Sequence, residues 1–198
     1  MNTRDRFVDR YNEGHTPWVH SETDFNLIDM VKNWPIYPCK VLELGCGTGT
    51  EALWLSENGF DVTAVDGSQI AIDIAKKAAV EKEIKCDFQV KDIIRDDINE
   101  NVFDFIFDRG VFHSFDTGED RRIIASRVSG FLKERGIWLS LIANADSPPR
   151  ESGPPTRSAK DIIDAVEPYF NLLTLTVSYF GNDQENPPKI WVALMRKR

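Results

Sequence analysis

Cysteine is scarce and unpatterned: Cys39, Cys46 and Cys86 are an odd number with no CxxC spacing, which argues against a disulfide framework or a zinc site. Long apolar runs are missing too. No stretch approaches the roughly 18 residues of a membrane-spanning helix, and the charged start Met1-Asn2-Thr3-Arg4-Asp5-Arg6 leads into no apolar segment. A soluble, cytoplasmic protein is expected. A concentrated basic footprint is also lacking: the net charge is -8 and the pI near 5.0, so nucleic acid is not expected as a partner. The short Met195-Arg196-Lys197-Arg198 end reads as a solvated tail. The expected partner is a small molecule, with no membrane association and no metal, and the expected state is a monomer or else a homodimer.

A chain of 198 residues with 41% hydrophobic content suits one globular domain over its whole length, with residues 1–33 as an N-terminal arm. Short apolar runs at 40–44, 62–65, 87–90, 103–107 and 137–142 read as strands buried on both faces. Segments 51–57, 69–82, 119–132 and 159–166 carry apolar residues at helical spacing between and after them. Runs 172–179 and 190–195, joined by a short loop, read as an antiparallel pair. The class is α/β: a doubly wound, mostly parallel sheet of seven strands with an antiparallel last strand. Thr117 with Asp120 and Ser158 with Asp161 have the spacing of helix caps. The proline-rich stretch 146–155 cannot be regular helix or central strand, and it follows a strand at the ligand edge of the sheet, as a wall or lid would.

The first strand, Val41-Leu42-Glu43-Leu44, runs into Gly45-Cys46-Gly47-Thr48-Gly49. Glycines at that place let a ligand approach backbone at the switch point of a doubly wound sheet. Asp66 ends the second strand about 20 residues on, where a carboxylate can hold ribose hydroxyls, and Asp92 closes the third, near an adenine amino group. Position 50 is Thr, where a dinucleotide fingerprint has a third glycine or alanine.

Val41 to Gly49, Asp66, Asp92 and Phe103-Asp104-Phe105-Ile106-Phe107-Asp108 resemble the successive motifs of class I S-adenosylmethionine-dependent methyltransferases. That resemblance implies S-adenosyl-L-methionine as cofactor. It places Gly45, Gly47 and Gly49 at the methionine part, Asp66 at the ribose, Asp92 with Ile93 at the adenine, and Asp108 opening the loop that faces the methyl group, with Glu43, Cys46, Gly67 and Ser68 as further cofactor-binding residues. The place where amino-group methylases of the class carry Asn/Asp-Pro-Pro-aromatic reads Asp108-Arg109-Gly110-Val111-Phe112-His113, which points to a small-molecule acceptor. Gly14-His15-Thr16-Pro17-Trp18, Phe107-Asp108-Arg109-Gly110 and Gly153-Pro154-Pro155 with Ser158 resemble the thiopurine and halide/thiol methyltransferases. By that resemblance Trp18 lines the cofactor pocket, the arm covers the site and Pro154 belongs to the substrate wall.

The expected reaction is methyl transfer to a thiol or similar soft nucleophile. Merging opposite charges favours a dry, aromatic-lined pocket, and alignment can supply about 7 kcal/mol of the barrier. Trp18, Phe112 and Phe115 are candidate walls and His113 a polar contact or base, with Asp108 as the other catalytic candidate. Phe112 and Phe115 read equally well as core, and His113 as a cap. Arg109 either holds a substrate anion or pairs with a carboxylate; Arg150 and Arg157 meet an anionic substrate or are ordinary loop arginines. Cys46 and Cys86 read as small packing residues. The alternatives are an O- or N-methyltransferase with His113 as base, an acceptor that is an oxyanion of selenium or tellurium, a nicotinamide oxidoreductase, and a non-catalytic adenosyl-ligand-binding protein.

Overall fold

The computed structural model describes residues 3–148, 153–181 and 186–198. Seven strands form one sheet in the order β3-β2-β1-β4-β5-β7-β6: β1 (Lys40–Leu44), β2 (Asp61–Asp66), β3 (Asp87–Val90), β4 (Phe103–Arg109), β5 (Leu132–Ala143), β6 (Phe170–Tyr179) and β7 (Lys189–Lys197). The first five are parallel. The last strand, β7, lies between β5 and β6 and runs antiparallel to both, so β6 is the edge.

Strand β1 shows why the sheet is central. Val41 and Leu42 are fully buried yet belong to cores on opposite faces, because successive side chains of a strand point to opposite sides. Helices α3 (Thr50–Glu57), α4 (Gln69–Glu81), α5 (Gly118–Phe131) and α6 (Ala159–Val166) cover those faces. Ser158 and Asp161 form a reciprocal capping box at α6, and the Thr117 hydroxyl accepts the Asp120 amide at α5. Leu132, expected as the last residue of α5, instead starts β5 opposite Phe103. The helix needs no more of the chain: its buried side chains end at Phe131.

The arm holds helices α1 (Thr3–Asn12) and α2 (Phe25–Asn33), joined by irregular chain. No helix among the described residues is long and apolar enough to cross a membrane. Residues 149–152 of the proline-rich stretch, Arg150 included, and 182–185 of the β6–β7 loop lie outside the described residues.

Candidate active site

The carboxyl ends of β1, β2, β4 and β5 meet at one edge of the sheet, and the glycine loop is shaped there by backbone. Gly45, Gly47 and Gly49 all have positive φ, at 64°, 54° and 86°, a region L side chains rarely adopt. A side chain at Gly49 would also come within 2.9 Å of Ala75 and Phe88, and one at Gly45 would run into Val111. The Asp66 carboxylate braces the loop from β2: Oδ2 accepts the Gly47 amide at 2.9 Å and Oδ1 the Ser68 amide at 2.8 Å. Ser68 then caps α4 by accepting the Ala71 amide, which leaves Gly67 between two anchored residues. Cys46 is buried, its amide donates to the Val65 carbonyl at 3.0 Å, and burial, with Glu43 and Asp66 nearby, pushes its thiol well above the ordinary range. That is a packing residue, not a nucleophile.

Glu43 is buried beneath the loop. Burial, helped by Glu51 and Asp66, raises its pKa well above the usual carboxylate range, and Oε2 has no hydrogen-bond partner. Asp92 is buried as well, and its Oδ1 accepts the amides of Ile94 and Arg95 at 2.9 and 3.3 Å. It therefore fixes the turn that presents Ile93.

Asp108, at the end of β4, is wholly committed to structure. Oδ1 accepts the amides of Val111 and Phe112 at 3.0 and 3.1 Å, and Oδ2 the Trp138 indole N–H at 2.9 Å. Burial raises its pKa to about 6 against the pull of these bonds and of Ser140. The loop it pins makes a single 3-10 turn, Phe112–Ser114. Phe112 and Phe115 both go to the core, Phe112 edge-on against Trp138 at 5.8 Å. Both are buried there, in line with the core reading of these two residues.

His113 is buried as well but lies outside that cluster, its ring edge-on to Phe180 at 6.2 Å. A side chain at Gly110 would lie 3.2 Å from its Cε1 and 3.4 Å from its Nε2, which is why Gly110, with φ 95°, must be glycine. The Ala143 amide donates to His113 Nδ1 at 2.9 Å. That bond uses the only lone pair of a neutral imidazole, so the ring proton sits on Nε2. Burial first, then the cations Arg157, Arg109 and Arg6, lower the pKa of His113 to about 3.

Arg109 closes an ion pair that sequence spacing does not reveal. Its Nε meets Asp24 Oδ2 at 3.0 Å, its Nη2 donates to the Gly181 carbonyl at 3.1 Å, its Nη1 to the Trp18 carbonyl at 3.4 Å, and it stacks 4.6 Å over Phe180. Asp24 is fully buried; it also caps α2 and accepts the Gly181 amide. Beside it, His20 Nε2 lies 3.3 Å from Glu51 Oε1, both nearly buried, and the Thr50 hydroxyl donates to the His20 carbonyl. The arm is thus fastened to the glycine-loop helix and to the β6–β7 loop at once.

Trp18 is half-buried and held by α1: its Nε1 donates to Tyr11 Oη at 3.1 Å, and Phe7 packs edge-on at 5.1 Å. Tyr11, not Trp18, reaches the glycine loop, with Oη 3.0 Å from where a Gly47 side chain would begin. Sequence reasoning missed Tyr11, Asp24 and Glu51. The available signal for Tyr11 was the i, i+4 aromatic pair with Phe7 on one helix face. Pro154 is half-buried in the connection that leads to α6.

A parallel sheet whose glycine-rich first turn faces an acid at the end of the second strand defines a doubly wound domain for a nucleoside-bearing cofactor. Residues 41–136 match the family model of a methyltransferase domain. The chain is 40% identical over 118 residues to a protein named hemagglutinin 1 of Eikenella corrodens, covering 57% of this chain and 38% of that one. It is 35% identical over 108 residues to a probable S-adenosyl-L-methionine-dependent methyltransferase TehB of Haemophilus influenzae, covering 54% and 34%. These matches span little over a third of the length of those relatives. The solved TehB structure from Haemophilus influenzae superposes with a TM-score of 0.72 at 26% identity, over 100% of this chain and 68% of that one. A structure from work on conversion of a disulfide bond into a thioacetal group during echinomycin biosynthesis gives 0.85 at 21% identity, over 99% and 92%. Residues 41–136 therefore carry the likeness to a methyltransferase domain, and the whole chain shares the fold of these solved structures.

Proposed function

We propose that this chain transfers the methyl group of S-adenosylmethionine to a small nucleophile that arrives already anionic, a thiolate foremost. The observation that carries this reading is the locked ring of His113. With Nδ1 accepting the Ala143 amide and the proton on Nε2, His113 is a hydrogen-bond donor at the crevice and not a base. Asp108, with both oxygens occupied, positions the loop instead of carrying a proton. A site furnished this way suits an acceptor that needs orientation and no deprotonation. The arginines around His113 favour an anion in the same place.

When bound, the cofactor supplies a sulfonium methyl group that an anion can take without proton transfer. The left-handed backbone at Gly45, Gly47 and Gly49 admits the amino-acid part, and Glu43 with its unpartnered Oε2 suits the ammonium end. Asp66 holds the ribose, with Gly67 and Ser68 fixing its approach, while Asp92 and Ile93 frame the adenine. Tyr11, held by Trp18 on the arm, covers the loop and excludes water, which strengthens attraction between the merging charges. The likeness of Gly14 to Trp18 and Gly153 to Pro155 to the thiopurine and halide/thiol group supports sulfur as the acceptor atom.

The test is a pH–rate series with thiols of different acidity. Under this reading the log of kcat/KM rises with pH to each thiol's own pKa and then levels off. A single inflection common to all thiols would instead reveal an enzyme base and sink the proposal.

A further inference from the structure

Three arginines from distant parts of the chain converge beyond His113. Arg6 of α1 donates through Nη2 to the Ser114 carbonyl at 2.9 Å. Arg157, leading into α6, and Arg121 of α5 both donate to the Phe115 carbonyl at 2.8 Å. Two carboxylates face them. Asp161 lies 3.5 Å from Arg121, while Asp116 sits 3.8 Å from Arg6 and 3.9 Å from Arg157. Three cations meet two anions, in a protein whose overall charge is -8, so the excess is local and positive.

Asp116 is the informative member. Its side chain is 67% exposed, and it straddles two guanidinium groups at distances too long for a hydrogen bond to either. A solvated carboxylate in that position is a weak counterion, held by charge alone and screened by water. Nearby, the Nε groups of Arg121 and Arg157 and Nδ2 of fully buried Asn144 have no acceptor. The Asn144 backbone bridges to Arg157, so these donors belong to one cluster.

We propose that Arg6, Arg121 and Arg157 form a subsite for a carboxylate on the methyl acceptor, which displaces Asp116 and takes hydrogen bonds from the guanidinium groups. This rests on the reading of a small anionic acceptor and narrows it to a thiol that also bears a carboxylate. Because Arg6 belongs to the arm and Arg157 to the body, such a ligand also ties the arm down. Arg121, held by two backbone carbonyls of residues 115 and 116, fixes the frame.

The test titrates benzoate and its neutral isostere benzamide into protein saturated with S-adenosylhomocysteine, by calorimetry. Benzoate is expected to bind and benzamide not. Arg6→Gln and Arg157→Gln should each weaken benzoate about tenfold, the loss of one charge-assisted bond. Asp116→Asn should tighten it, since the resident competitor is gone. Unfolding temperature and S-adenosylhomocysteine affinity check that the variants are intact; if Arg157→Gln does not fold, Arg6→Gln and Asp116→Asn, at more exposed positions, decide alone. Equal binding of benzoate and benzamide, no binding of either, or weaker binding in Asp116→Asn overturns the subsite. Turnover separates the two ideas. Methylation of thiophenol and 2-mercaptobenzoate at equal efficiency keeps the thiol reading and removes the subsite. Arginine-dependent benzoate binding without methylation of either thiol does the reverse.

Discussion

The two halves of the crevice are built by different means. The proposed cofactor half, from β1 to β3, is made of backbone and short-range bonds: Asp66 braces Gly47 and Ser68, 19 and 2 residues away. The proposed acceptor half, beyond β4, is made of side chains tied over long separations. Arg109 binds Asp24, 85 residues away, Arg6 reaches Ser114 across 108 residues, and Asp24 accepts the Gly181 amide across 157. A backbone cradle depends on a few residue types in fixed spacing. A side-chain assembly depends on the whole fold, because its partners are brought together from distant parts of the chain.

The strongest way to break this contrast is to remove the arm. Deleting residues 1–20 takes away Arg6, Tyr11, Trp18 and His20 and should abolish methyl transfer while weak binding of S-adenosylhomocysteine persists; a truncated protein with full turnover would show that the arm is no lid. Next in size is Asp24→Ala, which strands the buried Arg109 guanidinium and orphans the amides of Asn26 and Gly181. A loss of about 3–5 kcal/mol in unfolding free energy is expected, measurable by urea denaturation, and a change within 1 kcal/mol would mean that the latch carries little. Asp66→Ala, at a half-buried position, should cost only about 1–2 kcal/mol of stability for the freed Gly47 and Ser68 amides but weaken S-adenosylhomocysteine roughly 100-fold, about 3 kcal/mol. Unchanged affinity would undo the cofactor half.

The smallest effect is a pH slope. An unfolded histidine with the ordinary pKa of 6.5 takes up a proton that folded His113, at about 3, refuses, so stability is full above pH 6.5 and falls as pH drops. Asp108, raised from 3.8 to about 6, acts oppositely: its contribution is present at low pH and lost as pH rises through 6. The histidine's share of the slope is about 1 kcal/mol per unit near pH 6 and approaches about 1.4 near pH 5. His113→Gln should flatten the acid side of the stability curve. An unaltered slope would mean that His113 is protonated in the fold and would reopen its reading as a base.

Most of the architecture was visible in the chain because its signals are local. The strands 40–44 and 87–90 and the helix 159–166 appear with the bounds expected from apolar spacing and caps, and the glycine loop meets Asp66 through the Gly47 amide in its middle. His113 shows the limit. Its place after β4 marked it as a crevice residue, but only the Ala143 amide, contributed by β5, decides which ring nitrogen holds the proton. Phe112 shows the same limit, since a turn before a helix can aim an aromatic ring either way, and burial against Trp138 chose the core.

What the sequence determined by itself was the cofactor end: strand, glycine loop and strand-end acid are set by backbone conformation and by spacing along a few tens of residues. Only the tertiary structure decided the acceptor end, where Arg109 is matched with Asp24, the His113 proton is assigned, and Arg6, Arg121 and Arg157 are brought together. Those outcomes depend on which buried polar groups meet across the whole chain. Burial makes each partner obligatory, and no local pattern records who the partner will be.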